Sequence, residues 1–203
     1  MEGAKRQYSQ RRNCLKLMEE NKQKLLMHIC CAPCSVYCVD KVRSENIEPV
    51  GFWYNPNIHP FTEYKMRKNT LVEYAKSIDL KLVVENEYGL RSFITNVYPE
   101  FDKRCSYCYN VRLEETAKYA SENGFDSFTT TLLVSPYQNH DLICETALKM
   151  ADKYNVKFSY YDFRTGFHEG QDKARELGLY MQKYCGCIFS EEDRYKKKKK
   201  QKS

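Results

Sequence analysis

The sequence predicts an α/β protein: an open parallel sheet of about five strands with helices on both faces, followed by a helical C-terminal extension. Short apolar runs alternate with longer stretches of helical periodicity, which is the pattern of strand–helix crossovers. No internal repeat or Pro/Gly/Ser linker divides the 203 residues, so one domain is expected. Hydrophobic residues at 42% and aromatics at 14% are ample for its core.

Each element has a local reason. Tyr8, Arg12, Leu15 and Met18 share one helical stripe, which predicts a helix to about Asn21 in an N-terminal arm spanning residues 1–23. Residues 25–29 are an apolar run that stops at the first cysteines, as a buried strand would. Ser35 is the expected N-cap of a helix over residues 36–45. A second strand over 48–54 is stopped by Asn55-Pro56-Asn57. Tyr64, Leu71, Tyr74, Ala75 and Ile78 make one face of a helix over 62–78, and a third strand covers 80–85. A helix over 105–122 ends at Asn123-Gly124. A strand over 125–131, a helix over 138–153 and a strand over 156–163 complete a catalytic domain of residues 24–195.

Charge is concentrated at the ends. Residues 1–16 carry +4 and the lysine-rich tail, residues 196–203, carries +6, so residues 17–195 hold −4 within a total of +6. Such arms suit attraction to phosphates, the alternative being a solvated tail. No run of about 18 apolar residues exists, and no apolar segment follows Met1-Glu2-Gly3-Ala4-Lys5-Arg6. A cytoplasmic protein without a membrane partner is expected, in which clustered thiols are ligands or catalysts.

Seven of ten cysteines fall into three groups: Cys30-Cys31-Ala32-Pro33-Cys34, Cys105-Ser106-Tyr107-Cys108 and Cys185-Gly186-Cys187. Adjacent Cys30 and Cys31 would close only a strained ring, so they read as ligands rather than a disulfide. Cys30, Cys31, Cys105 and Cys108 are the expected ligands of a [4Fe–4S] cluster. Zinc is the alternative, for which a Cys-Cys pair is an awkward knuckle. Cys34 and Asp102 are additional candidate ligands. Cys185 and Cys187, one residue apart, suit a reducible disulfide for electron relay, or could complete a metal site. Cys14, Cys38 and Cys144 lack such grouping and read as core packing.

In an open parallel sheet the site lies beyond the carboxyl ends of the strands. His28, His59, His140 and Asp141 fall at that edge, and Asp141, His28 and His59 are candidate proton donors. Asp102 or Asp141 could provide a labile cluster ligand. Asn55, Asn57, Tyr137 and Arg164 are candidate contacts to an unstacked base, with packing or turn roles as the alternative.

Five ordered stretches carry a family resemblance: residues 28–35 (His-Ile-Cys-Cys-Ala-Pro-Cys-Ser), 54–60 (Tyr-Asn-Pro-Asn-Ile-His-Pro), 104–113 (Arg-Cys-x-x-Cys-Tyr-x-x-Arg-Leu), 130–137 (Thr-Thr-Leu-Leu-Val-Ser-Pro-Tyr) and 184–187 (Tyr-Cys-Gly-Cys). Together they resemble the cobalamin-independent epoxyqueuosine reductases, the QueH family. The resemblance implies reduction of epoxyqueuosine to queuosine at the wobble position of tRNAs with a GUN anticodon, the last step of queuosine biosynthesis. It also implies an iron–sulfur cofactor, a second iron as a further candidate, an electron donor of unassigned identity, and a sheet like that of the PP-loop (HUP-like) ATPases. Those ATPases cradle phosphate on a glycine-rich loop after strand one. Here a proline and thiols stand in its place, so ATP is not expected, and the resemblance implies no cobalamin. That loss weakens the alternative of a cluster-dependent tRNA-thiolating enzyme. The Cys-Cys and Cys-Gly-Cys pairs weaken that of a zinc-stabilised nucleic-acid-binding module, and seven clustered thiols exceed the needs of simple dithiol exchange.

Overall fold

A computed structural model describes residues 23–196. The expected N-terminal helix and the lysines beyond residue 196 lie outside them. The strands are β1 (Leu25–His28), β2 (Val50–Trp53), β3 (Leu82–Val84), β4 (Ser127–Thr130) and β5 (Lys157–Phe158). The helices are α1 (Ala32–Arg43), α2 (Phe61–Ser77), α3 (Leu90–Val97), α4 (Arg104–Glu122), α5 (His140–Tyr154), α6 (Phe167–Glu176) and α7 (Ile188–Tyr195).

All strand pairings are parallel, in the order β3-β2-β1-β4-β5. β1 is central, with Met27 opposite Gly51 on one side and Thr129 on the other, and every residue of it is buried. That burial explains its continuous apolar run. The chain steps outward from β1 to β3, then returns across the sheet to β4. Right-handed crossovers therefore put α1 and α2 on one face and α4 and α5 on the other. The direction of winding reverses between β1 and β4, where such sheets bind ligands. Among the described residues no helix is long and apolar enough to cross a membrane.

Several elements differ from expectation. Ser35 is not an N-cap: α1 begins earlier, with Cys31 as N-cap in extended backbone and Pro33 in the first turn. Proline's fixed φ and missing N–H suit that turn, where amide donors have no helical partner. Ser35 instead donates its hydroxyl to Ala32 O at 2.8 Å. β5 is shorter than expected because Asp162 accepts from the Arg164 N–H (3.1 Å) and caps a 3-10 turn, Phe163–Gly166. α3 was not expected, although Leu90, Phe93, Ile94 and Val97 have helical spacing, and it buries Phe93 and Val97.

The C-terminal extension consists of α6, a loop and α7. α6 packs on α1 because Gly166 and Gly170 make room for Tyr37. A Cβ on Gly166 would lie 2.1 Å from the Tyr37 ring, and one on Gly170 would lie 3.0 Å from Tyr37 Cβ. Gly166→Ala is thus expected to destabilise the protein by about 1–3 kcal/mol, the usual cost of overpacking. A urea titration should show a lower midpoint at unchanged slope, partly restored by adding Tyr37→Ala. An unchanged midpoint would mean that this close approach does not hold α6.

Candidate active site

The end of β1 delivers the first cysteines to the point where the winding reverses. The Cys30 N–H donates to Thr131 Oγ1 at 3.1 Å, and that hydroxyl lies 3.3 Å from Cys30 Sγ, tying the ends of β1 and β4 together. Because α1 starts at Ala32, its first turn brings Cys34 back to the adjacent pair. The sulfurs of Cys30, Cys31 and Cys34 lie within 4.8 Å of one another, and those of Cys30 and Cys31 are 3.8 Å apart. Hydrogen bonds from the Cys31 and Cys34 thiols hold the Cys30 thiol well below its usual pKa. Burial pushes Cys31 up, and the bond to Cys30 pushes Cys34 up. The triad thus concentrates one thiolate between two thiols, a soft donor set placed to hold a metal. Gln182 Nε2 lies 3.0 Å from Cys31 Sγ and 3.5 Å from Cys34 Sγ.

A second group forms where the start of α4 meets the loop before α7. Cys108 and Cys187 share a small apolar cluster with Phe93 and Val97. One turn beyond Cys108, the buried Arg112 donates from Nη2 to Cys108 Sγ (3.0 Å) and from Nε to Cys108 O (3.2 Å). Burial pushes the Cys108 thiol up to about 12; Arg112 opposes the shift, and Cys185, Cys187 and Cys105 add to it. Burial acts against the Arg112 charge, yet the sulfurs of Cys108, Cys185 and Cys30 leave its pKa raised. Gln138 Nε2 donates to Cys185 Sγ at 3.2 Å, and Gln138 Oε1 accepts from the Tyr109 hydroxyl at 2.6 Å. Cys185 and Cys187 are free thiols, not the expected disulfide.

Both groups line one cavity of about 830 Å³, which all seven clustered cysteines share with Arg67 and Arg112. Among the described residues that line it there is no aspartate, glutamate or histidine. Soft sulfur donors beside two buried cations suit an anionic metal–sulfur centre, so the residues present fit the implied cofactor.

The expected site residues divide. Asn57 lines the cavity, and Tyr137 stands at its mouth, 86% exposed, with its ring edge-on to Phe167. Asn55 is not a lining residue. It is fully buried, donates to Ile29 O at 2.9 Å and accepts from Arg112 at 3.5 Å, so its amide is committed to the protein. Asp141, Arg164 and Asp102 do not line the cavity either. Asn139 caps α5 by accepting from the Leu142 N–H (3.1 Å), which leaves Asp141 exposed in the first turn. Arg164 is paired with Asp162 at 2.7 Å, and Asp102 is exposed in a 3-10 turn.

The candidate histidine acids also lie outside the cavity lining. His28 is fully buried, Nδ1 lying 2.9 Å from Thr130 Oγ1 and Nε2 3.3 Å from Tyr54 O, and burial lowers its pKa to about 3. His59 reaches Pro56 O (3.2 Å) and the Ile188 N–H (3.4 Å), with burial lowering its pKa to about 4. Both rings brace loops. Cys38 is in the core, Cys144 is half-buried, and Cys14 lies outside the described residues.

Arg67, Arg112, Gln138 and Gln182 are among the cavity residues to which the sequence reading gave no site role, Arg112 standing only within the 104–113 stretch. Two of them left a signal. Arg67 interrupts the apolar face made by Tyr64, Leu71 and Tyr74, and Arg112 lies between Cys108 and Thr116 on the buried face of α4. A charge at a core position of a helix marks a site or a buried pair.

A family model described as Epoxyqueuosine reductase QueH matches residues 25–193. Relatives of the same description include proteins from Dehalococcoides mccartyi (36% identical, covering 86% of this chain and 96% of that one) and Thermotoga maritima (39%, covering 82% and 89%). Another, from Acinetobacter baylyi, is 34% identical over 87% of this chain and 84% of its own. Among solved structures, a predicted subunit of tRNA methyltransferase from Methanocaldococcus jannaschii is similar in fold, with a TM-score of 0.51 over 75% of each chain at 14% identity. From the matched span and these identities, the chain belongs to the epoxyqueuosine reductase QueH family.

Proposed function

We propose that this chain reduces epoxyqueuosine to queuosine at the wobble position of tRNAs with a GUN anticodon, inside the cysteine-lined cavity. The observation that carries the reading is the lining itself: seven thiols and two buried arginines, with no carboxylate or imidazole. A [4Fe–4S] cluster held by Cys30, Cys31, Cys105 and Cys108, with Cys34 available to a second iron, would supply a Lewis-acidic iron for the epoxide oxygen and a path for electrons drawn from the thiols.

Turning an epoxide into an alkene takes two electrons and two protons and releases water. No carboxylate or imidazole is among the described residues of the cavity wall, and the protons are assigned to Cys185 and Cys187, which can give up protons and electrons together. When this dithiol closes to a disulfide it gives up two protons and two electrons. Both C–O bonds then break, a C=C bond forms, and the oxygen leaves as water. An external reductant, either a dithiol or a low-potential electron carrier, must reopen the disulfide. Gln138 holds Cys185 from one side, and Arg112 balances negative charge on the sulfurs. At the mouth, Tyr137 offers a face on which an unstacked base can stack, and exposed Lys183 and Arg194 suit phosphate contacts.

Anaerobically reconstituted protein with a strong reductant should convert an epoxyqueuosine-containing anticodon stem-loop to a product lighter by one oxygen atom. An unchanged base, with iron and sulfide fully loaded, would overturn the reading.

A further inference from the structure

The loop that carries Cys185 and Cys187 rests on a buried ion pair whose arginine, Arg67, also lines the cavity. Arg67, in α2, is 3% exposed and donates from Nε to Glu63 Oε1 at 2.7 Å. Its other two nitrogens grip consecutive carbonyls of the loop, Nη1 to Cys185 O (2.8 Å) and Nη2 to Tyr184 O (2.9 Å). Tyr180 fixes the far side of the pair by donating its hydroxyl to Glu63 Oε2 at 2.5 Å. The next carbonyl, Gly186 O, accepts from the His59 N–H at 2.8 Å. Gly186 itself has φ +152°, and a Cβ there would lie 3.3 Å from Ile58 and 3.4 Å from Arg67 Nη1.

Three successive carbonyls are therefore pinned with both thiols open. A disulfide across one glycine must meet narrow limits of Cα separation and Cβ direction, and the backbone that sets both is the part these hydrogen bonds hold. Turning either peptide unit beside Gly186 would draw Cys185 O from the guanidinium or Gly186 O from the His59 N–H.

We propose that Arg67 is a positioning residue that holds the Cys185-Gly186-Cys187 loop in its dithiol form and so sets how readily the pair closes to a disulfide. This rests on the redox role assigned above to the pair. Because the clamp stabilises the reduced form, loosening it favours the disulfide, as in any couple whose reduced side loses stabilisation. Arg67→Lys keeps the charge beside Glu63 and Cys31 but cannot fork onto two carbonyls.

The test is a thiol–disulfide titration of the cluster-loaded full chain, anaerobically, in glutathione buffers of graded ratio. Oxidised glutathione takes up two electrons and two protons as the pair closes. After quenching by alkylation, the tryptic peptide spanning residues 184–194 contains these two cysteines alone, so its mass reports their state. Arg67→Lys is expected to shift the equilibrium toward the disulfide about tenfold, equivalent to about 30 mV for a two-electron couple. Tyr180→Phe, which only frees one oxygen of Glu63, should shift it about threefold in the same direction and decides the matter if Arg67→Lys does not fold. Unaltered midpoints in the folded variants, with normal closure in the parent protein, would remove Arg67 from this role and leave the redox pair standing. A parent peptide that stays dithiol in every buffer would instead overturn the redox pair, and this inference with it.

Discussion

Cys108→Ser is expected to yield anaerobically reconstituted protein that lacks the brown iron–sulfur absorption and has lost more than about 100-fold of its activity. That exceeds the 10–100-fold typical of removing only an outer hydrogen-bond partner of a metal ligand. A serine hydroxyl is a hard donor that stays protonated, whereas an iron–sulfur centre needs an ionised, polarisable sulfur. Cys108 is buried, and Arg112 Nη2 donates to its sulfur at 3.0 Å, a charged donor that works against the rise burial imposes on this thiol. Iron and acid-labile sulfide per chain provide the measurement, with Cys31→Ser as the companion variant. Full iron and sulfide in Cys108→Ser would take Cys108 out of the ligand set.

Cys185→Ser and Cys187→Ser are expected to behave differently, retaining near-normal iron and sulfide while losing at least about 10³-fold in turnover, the scale set by deleting a group that reacts chemically. The two thiols are the assigned source of both protons and both electrons. A single hydroxyl in either place leaves no disulfide to form, so the two electrons and one of the two protons lose their source. The decisive comparison is metal content against single-turnover product. If either serine variant fails to assemble the cluster, the pair belongs among the ligands and the source of the protons lies elsewhere.

Where sequence reasoning about the site succeeded, it did so through local chemistry. Cysteines one to three residues apart must share a neighbourhood whatever the fold, and strand–helix alternation brings segments far apart in sequence to one sheet edge. The three groups do line one cavity. Where reasoning depended on orientation, it erred. Asp141, Arg164 and Asn55 are close in sequence to the right strand ends, but a capped helix, a local pair with Asp162 and a hydrogen bond to Ile29 O turn them to other tasks. Cys34 illustrates the same limit: its approach to Cys30 and Cys31 depends on where α1 begins, which one proline decides.

By itself the sequence determined the fold class, the central burial of β1 and the grouping of seven thiols at the sheet edge. Those features follow from apolar periodicity and chain connectivity, which are local or topological properties. Tertiary structure alone decided which polar groups face the cavity and which are consumed by packing. Arg67 and Arg112 became buried cations because α2 and α4 happen to present them toward sulfurs from other segments. His28 and His59 became neutral braces because burial, reinforced at His28 by the Arg112 charge, disfavours their ionised forms. A side chain's charge state depends on every element packed around it, and most of those elements are distant in sequence.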